Sequence, residues 1–131
     1  WSGFKLMKMR ILIVDDDQAI GDSVEALLKA KGFEVVRAAD GKEAVAVAQR
    51  ELPALLILDL LLPKMSGFDV CATLKAASAT KKIVILVLTA LGRMGDVEKA
   101  FSLGADDYLV KPFETDRLLR KIAKLLGFPP A

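Results

Sequence analysis

The 131-residue chain carries a formal charge of +2, is 53% apolar, and contains one cysteine and no histidine. That length suits one domain with a core of its own, and the apolar content excludes a disordered chain. The small charge does not imply nucleic acid, no apolar run approaches the roughly 18–20 residues of a membrane span, and the missing histidine removes Ser-His and Cys-His nucleophiles and most zinc sites.

The single cysteine, Cys71, forms no internal disulfide, which fits a reducing cytoplasm, and it reads as a buried helix-face residue. With no histidine, a metal site in this chain should use oxygen, which favours magnesium or calcium. Residues 1–8 read as an N-terminal extension or a cloning remnant without the apolar core of a signal peptide. Trp1 lies in that stretch and outside the expected core.

Strand-length apolar runs then alternate with segments of helical period. Arg10–Val14 (RILIV) predicts a first strand. Ile20, Val24, Leu27 and Leu28 recur at helical spacing, and Lys31-Gly32 closes that helix. Glu34–Arg37 predicts a short second strand. Ala44, Val45 and Ala48 mark a helix ending near Pro53. Leu55–Leu58 is continuously apolar, as in a sheet covered on both faces. Phe68, Cys71 and Leu74 form the inner stripe of a third helix, and Ile83–Leu88 predicts the fourth strand. Val97, Ala100 and Phe101 give the inner face of the fourth helix, which Gly104 stops. Asp107–Val110 predicts the fifth strand. Leu118, Leu119, Ile122, Leu125 and Leu126 make the stripe of the last helix, and residues 128–131 read as a linker stub. Any DNA-binding activity would lie in a domain after Ala131.

Five strand–helix units predict an α/β fold, a parallel sheet with helices on both faces and right-handed crossovers. In such sheets the site lies beyond the carboxyl ends of the strands, at the topological switch point. Asp15 and Asp16, Asp59, Thr89 and Lys111 stand at those ends, whereas the second strand ends in Arg37 and Ala38. Carboxylates gathered on one rim raise each other's pKa unless a cation joins them, and a hard, water-retaining divalent ion, Mg²⁺, fits best. Each residue alone has a plainer reading. An aspartate at a strand–helix junction is often an N-cap, and Asp17 reads as that. Thr89 alone would read as a helix cap, and Lys111 as a surface lysine. Their joint occurrence at successive strand ends favours a phosphoryl receptacle.

The stretches ILIVDDD, LLILDLLLPKMSGFDV, VLTA and GADDYLVKPF together resemble the receiver domain of two-component response regulators, the CheY-like family. The resemblance runs from about Met9 to Leu126, and the receiver is expected over residues 9–127. It implies a flavodoxin-like (βα)5 fold of strand order 2-1-3-4-5. It implies Asp59 as phosphoacceptor, with Mg²⁺ (Mn²⁺ able to substitute) held by Asp15, Asp16, Asp59 and the backbone carbonyl of Leu61. Thr89 and Lys111 would contact the phosphoryl group, Thr89 and Tyr108 would form the switch, and the Lys111–Pro112 peptide would be cis. The implied role is a cytoplasmic, Mg²⁺-dependent signalling receiver. It is not an enzyme acting on other substrates, but it catalyses its own phosphorylation and dephosphorylation.

The implied donor is a histidine kinase or histidine phosphotransfer protein in trans. Output would pass through the fourth helix, fifth strand and fifth helix. Homodimerisation is allowed, and neither nucleic acid nor membrane is a direct partner. Arg117, Arg120, Lys121 and Lys124 line one face of the last helix, as a docking surface or simply a solvated face. Leu61 and Leu91 flank the phosphoryl position and cannot orient water, which predicts a long-lived phosphoform. Leu91–Gly95 reads as a mobile loop.

Other readings fare worse. A haloacid-dehalogenase phosphatase needs a second acid two residues after its nucleophile, where this chain has Leu61. A flavodoxin needs a hydroxyl-rich phosphate loop where this chain has Asp15, Asp16, Asp17 and Gln18. A cobalamin domain needs a histidine. A pseudo-receiver that binds partners without phosphorylation is the remaining alternative, although it normally lacks one of the key residues.

Overall fold

A computed structural model of the protein describes residues 9–90 and 92–128. The N-terminal extension, Leu91 and the last three residues of the expected linker lie outside the described residues. The elements are β1 (Arg10–Val14), α1 (Gln18–Ala30), β2 (Glu34–Ala38), α2 (Gly41–Glu51), β3 (Leu55–Leu58), α3 (Gly67–Ala76), β4 (Val84–Thr89), α4 (Met94–Ser102), β5 (Asp107–Val110) and α5 (Thr115–Leu126). The five strands are parallel in the order β2-β1-β3-β4-β5. This is the expected doubly wound sheet.

The strand alternation sorts the core into two layers. Ile11 and Ile13, with Leu55, Ile57, Leu86 and Leu88, face α1 and α5 and meet Val24, Leu28, Leu118 and Ile122. Leu12, Val14, Leu56, Leu58, Ile85 and Val87 face α2, α3 and α4 and meet Ala44, Val47, Val70, Cys71 and Ala100. Both faces of the central strands are therefore dry, which explains why LLIL and VILVL are continuous apolar runs. Burying each such Leu or Ile favours folding by about 2 kcal/mol before conformational entropy is counted. No helix among the described residues is long and apolar enough to cross a membrane.

Side-chain caps start three of the helices. Asp17 accepts from the Ile20 N–H at 3.2 Å, Asp40 from Glu43 at 2.8 Å, and Ser66 from Asp69 at 3.2 Å. Each satisfies one N–H that has no partner within its helix. The expected cap role of Asp17 is thus what its side chain does.

The structure moves several expectations. β2 continues through Ala38, and β4 begins at Val84 and ends on Thr89. Phe101 does not join the inner face of α4: it is 43% exposed and sets its edge against the Tyr108 ring, 5.9 Å between centroids. Phe68 is half-buried: it packs against the core as expected, with the Lys99 ammonium over its ring, and Val70 joins the fully buried residues of that helix. Phe128, expected in the linker, is buried and packs edge-on to Phe33, so the core extends one residue past α5 and its Gly127 cap.

Candidate functional site

The register of the sheet brings the acids together. Val14 pairs with Leu58, so the next residue of each strand, Asp15 and Asp59, emerges side by side. The Asp59 N–H donates to the Val14 carbonyl at 2.9 Å and fixes that relation. On the other flank Thr89 pairs with Val110, and the Lys111 N–H donates to the Thr89 carbonyl at 2.8 Å. Lys111 therefore leaves β5 toward the same rim. The Lys111–Pro112 peptide is cis.

The side chains meet there. Lys111 Nζ donates to Asp15 Oδ2 at 2.7 Å and to Asp59 Oδ2 at 3.0 Å. The other oxygen of each acid is held by its own turn. Asp15 Oδ1 accepts from the Asp17 N–H at 2.9 Å, and Asp59 Oδ1 accepts from the Leu61 N–H at 3.0 Å. Asp15 and Asp59 are buried, whereas Asp16 is exposed and accepts no hydrogen bond from the described residues. One oxygen from each of Asp15, Asp16 and Asp59 falls within 4.8 Å of the others.

Burial pushes the Asp59 carboxyl above its ordinary pKa, a shift that the Leu61 N–H and Lys111 oppose. For Lys111, burial works against the charge. Its hydrogen bonds to Asp15 and Asp59 outweigh that, so its pKa is raised and the ammonium persists. Three carboxylates and one ammonium leave the rim with excess negative charge. Converging hard oxygen donors with an exposed, unshared carboxylate suit a small divalent ion better than a soft metal.

Thr89 is buried at the end of β4. Tyr108 is half-buried between the Phe101 edge and the Lys121 ammonium, which lies 5.6 Å from its ring centroid. Leu61 is 54% exposed directly after the acid strand. Lys121 is not a free member of the basic face of α5, because Nζ holds both Asp107 oxygens at 3.0 and 3.1 Å. Arg117, Arg120 and Lys124 remain exposed.

Two supporting residues escaped the sequence reading. A Cβ on Gly67 would stand 2.3 Å from the Asp59 carbonyl oxygen and 2.6 Å from Leu60 Cα. Only glycine lets the start of α3 approach the acid strand so closely. The MSG that follows the β3 loop was a signal for it. Arg37, near the end of β2, lies beside the rim and pairs with Asp22 and Glu25 of α1. Nothing in the sequence marked that cluster, since its partners lie 15 and 12 residues away.

Known proteins are similar to this chain in sequence and fold. The family model of the response regulator receiver domain matches residues 11–123. RpaA of Synechocystis, a DNA-binding dual master transcriptional regulator, is 46% identical over 117 residues, covering 89% of this chain and 48% of RpaA. The chain spans about half the length of the transcriptional regulators it matches. A putative response regulator from Chloroflexus aurantiacus superposes with a TM-score of 0.86 at 39% identity, covering 91% of this chain and 98% of that one. The receiver domain of the Pseudomonas aeruginosa sensor histidine kinase PA1611, solved with magnesium in its active-site cleft, superposes with a TM-score of 0.84 at 32% identity, covering 91% and 98%. The chain belongs to the response regulator receiver domain family.

Proposed function

We propose that this chain receives a phosphoryl group on Asp59, with Mg²⁺, from the phosphohistidine of a histidine kinase or phosphotransfer protein. The convergence of Asp15, Asp16 and Asp59, with Lys111 bonded to the first and last of them, carries this reading. The magnesium in the cleft of the PA1611 receiver domain supports it. Asp15, Asp16, Asp59 and the Leu61 carbonyl would hold the ion. When bound, Mg²⁺ neutralises charge on the phosphoryl oxygens.

A carboxylate oxygen of Asp59 attacks phosphorus as the P–N bond to the donor imidazole breaks, giving a mixed anhydride. Lys111 Nζ, already between the two acids, is placed to donate to the equatorial oxygens where charge accumulates. Asp15 gives up part of its hold on Lys111 in that step. The Leu61 N–H continues to orient the carboxylate. The added charge draws the Thr89 hydroxyl inward, and Tyr108 follows toward the space it leaves, altering the surface of α4, β5 and α5. This is a two-state element biased by a local charge change. The cytoplasm is the matching compartment.

The test is intact mass after incubation with acetyl phosphate. One added phosphoryl group with Mg²⁺, none in EDTA and none in Asp59→Asn is the expected result. A folded protein that gains no mass with Mg²⁺ would refute the reading and favour a receiver that binds partners without phosphorylation.

A further inference from the structure

Beside the acidic rim, a guanidinium is set into a notch between β2 and α1. Arg37 pairs with Ile13 in the β1–β2 register, close to Asp15 in the chain. Its Nη1 donates to Asp22 Oδ1 at 3.0 Å and to Glu25 Oε1 at 2.9 Å. The group lies over Gly21, where a Cβ would stand 2.0 Å from Nη2 and 2.6 Å from Cζ. Even an alanine at that position would force the guanidinium out. Arg37 Nε is buried there without an acceptor among the described residues. An unpaired buried N–H costs free energy, so this seat is not the cheapest one for a surface cation. What the seat provides is a positive charge fixed in place.

Arg37 shares a pocket of about 370 Å³ with Asp15 and Asp16, and it is the single basic residue among the described lining, against five acids. Three of those acids, Asp22, Glu25 and Glu43, are too far out to belong to the cluster of converging oxygens. They add negative potential at its mouth, and Arg37 offsets one unit of it.

We propose that Arg37, seated on Gly21 and held by Asp22 and Glu25, is a positioning residue that sets how tightly the Asp15–Asp16–Asp59 cluster holds its divalent ion. The inference rests on the Mg²⁺ reading above. Without the fixed cation, the field at Asp16 becomes more negative and the ion binds more tightly. With it, the ion stays readily exchangeable.

Calorimetric titration of the whole chain with Mg²⁺ tests this in wild type, Arg37→Met, Arg37→Lys and Asp22→Asn. Arg37→Met keeps the apolar stem and removes the charge. Its dissociation constant should fall about threefold at low salt, the order expected for charges about 10 Å apart in water. Asp22→Asn, at an exposed position, should raise the constant by a similar factor, and Arg37→Lys should match wild type. All four should converge in about 1 M KCl, where the screening length is about 3 Å. An unchanged or weaker Arg37→Met at low salt, or a difference that survives high salt, overturns the proposal. Should Arg37→Met not fold, Asp22→Asn decides: an affinity equal to wild type overturns it. A wild type that binds no Mg²⁺ overturns the metal reading as well, whereas a wild type that binds alongside unshifted variants overturns this proposal alone.

Discussion

Replacing Lys111 with methionine removes the one ammonium between two buried carboxylates. The structure sets the size of the effect. Lys111 makes two charge-assisted bonds, at 2.7 and 3.0 Å, to acids that are 5% and 6% exposed. Leaving a buried charge without its partner costs about 3–5 kcal/mol, and an open rim places this case near the lower figure. For a domain of this length that is a loss of about 10 °C in melting temperature. The sign of the pH dependence follows from Asp59. Its folded-state pKa is raised, so the folded protein binds more protons than the unfolded chain between the unfolded and folded values, and stability falls as pH rises through that window. Lys111 opposes the rise, so Lys111→Met widens the window upward, and the variant should recover stability on acidification relative to wild type. Added Mg²⁺ should also raise its midpoint more than that of wild type, because the ion meets a more negative rim. The assay is thermal unfolding by circular dichroism in EDTA and in Mg²⁺ across pH. A variant melting within about two degrees of wild type in EDTA at neutral pH would refute the reasoning, since a one-kcal/mol change already shifts the midpoint further.

Four other outcomes follow from the same geometry. Asp17→Ala should cost about 1 kcal/mol of stability by removing the α1 cap and, in about 1 M KCl where its charge is screened, leave Mg²⁺ affinity near wild type, while Asp16→Ala should do the reverse; unfolding and titration separate them. Gly67→Ala should slow phosphorylation by acetyl phosphate at saturating Mg²⁺ by about tenfold or more, because its Cβ displaces the Asp59 main chain; an unchanged rate contradicts the close approach. Cys71 is buried and its thiol is pushed up to about 12, so iodoacetamide should leave it unmodified in the folded protein, and rapid alkylation without denaturant would contradict that burial. The exposed Leu61 side chain offers no hydrogen bond to orient water, so the phosphoform should persist for hours, and decay in seconds without a phosphatase counts against it.

The parts of the fold most legible in the sequence were those set by periodicity. LLIL and VILVL read as two-face-buried strands because nothing but apolar residues survives between two helical layers. The rim was legible because a parallel sheet puts every strand's carboxyl end on one edge, so Asp15, Asp59, Thr89 and Lys111 could be gathered without coordinates. What escaped depended on register and packing across the chain. Periodicity placed Phe101 inward, but its ring makes a T-shaped contact with Tyr108 at the surface, a contact made between two elements. Lys121 looks in the sequence like one of four equivalent cations, but Asp107, fourteen residues earlier, holds it. Phe128 looked like linker because Gly127 ends the helix, yet its ring packs against Phe33 from the other end of the domain. Arg37 gave no sign of its seat, since a notch is defined by the Cβ that Gly21 lacks.

The central claim is that Asp59 is the acceptor, and the most direct test traps the bond itself. After treatment with acetyl phosphate and Mg²⁺, borohydride reduces an aspartyl phosphate to homoserine, which peptide mapping locates. The account predicts homoserine at position 59 with Mg²⁺ and none in EDTA. Homoserine at Asp15 or Asp16, or at no position in a folded sample, would contradict it.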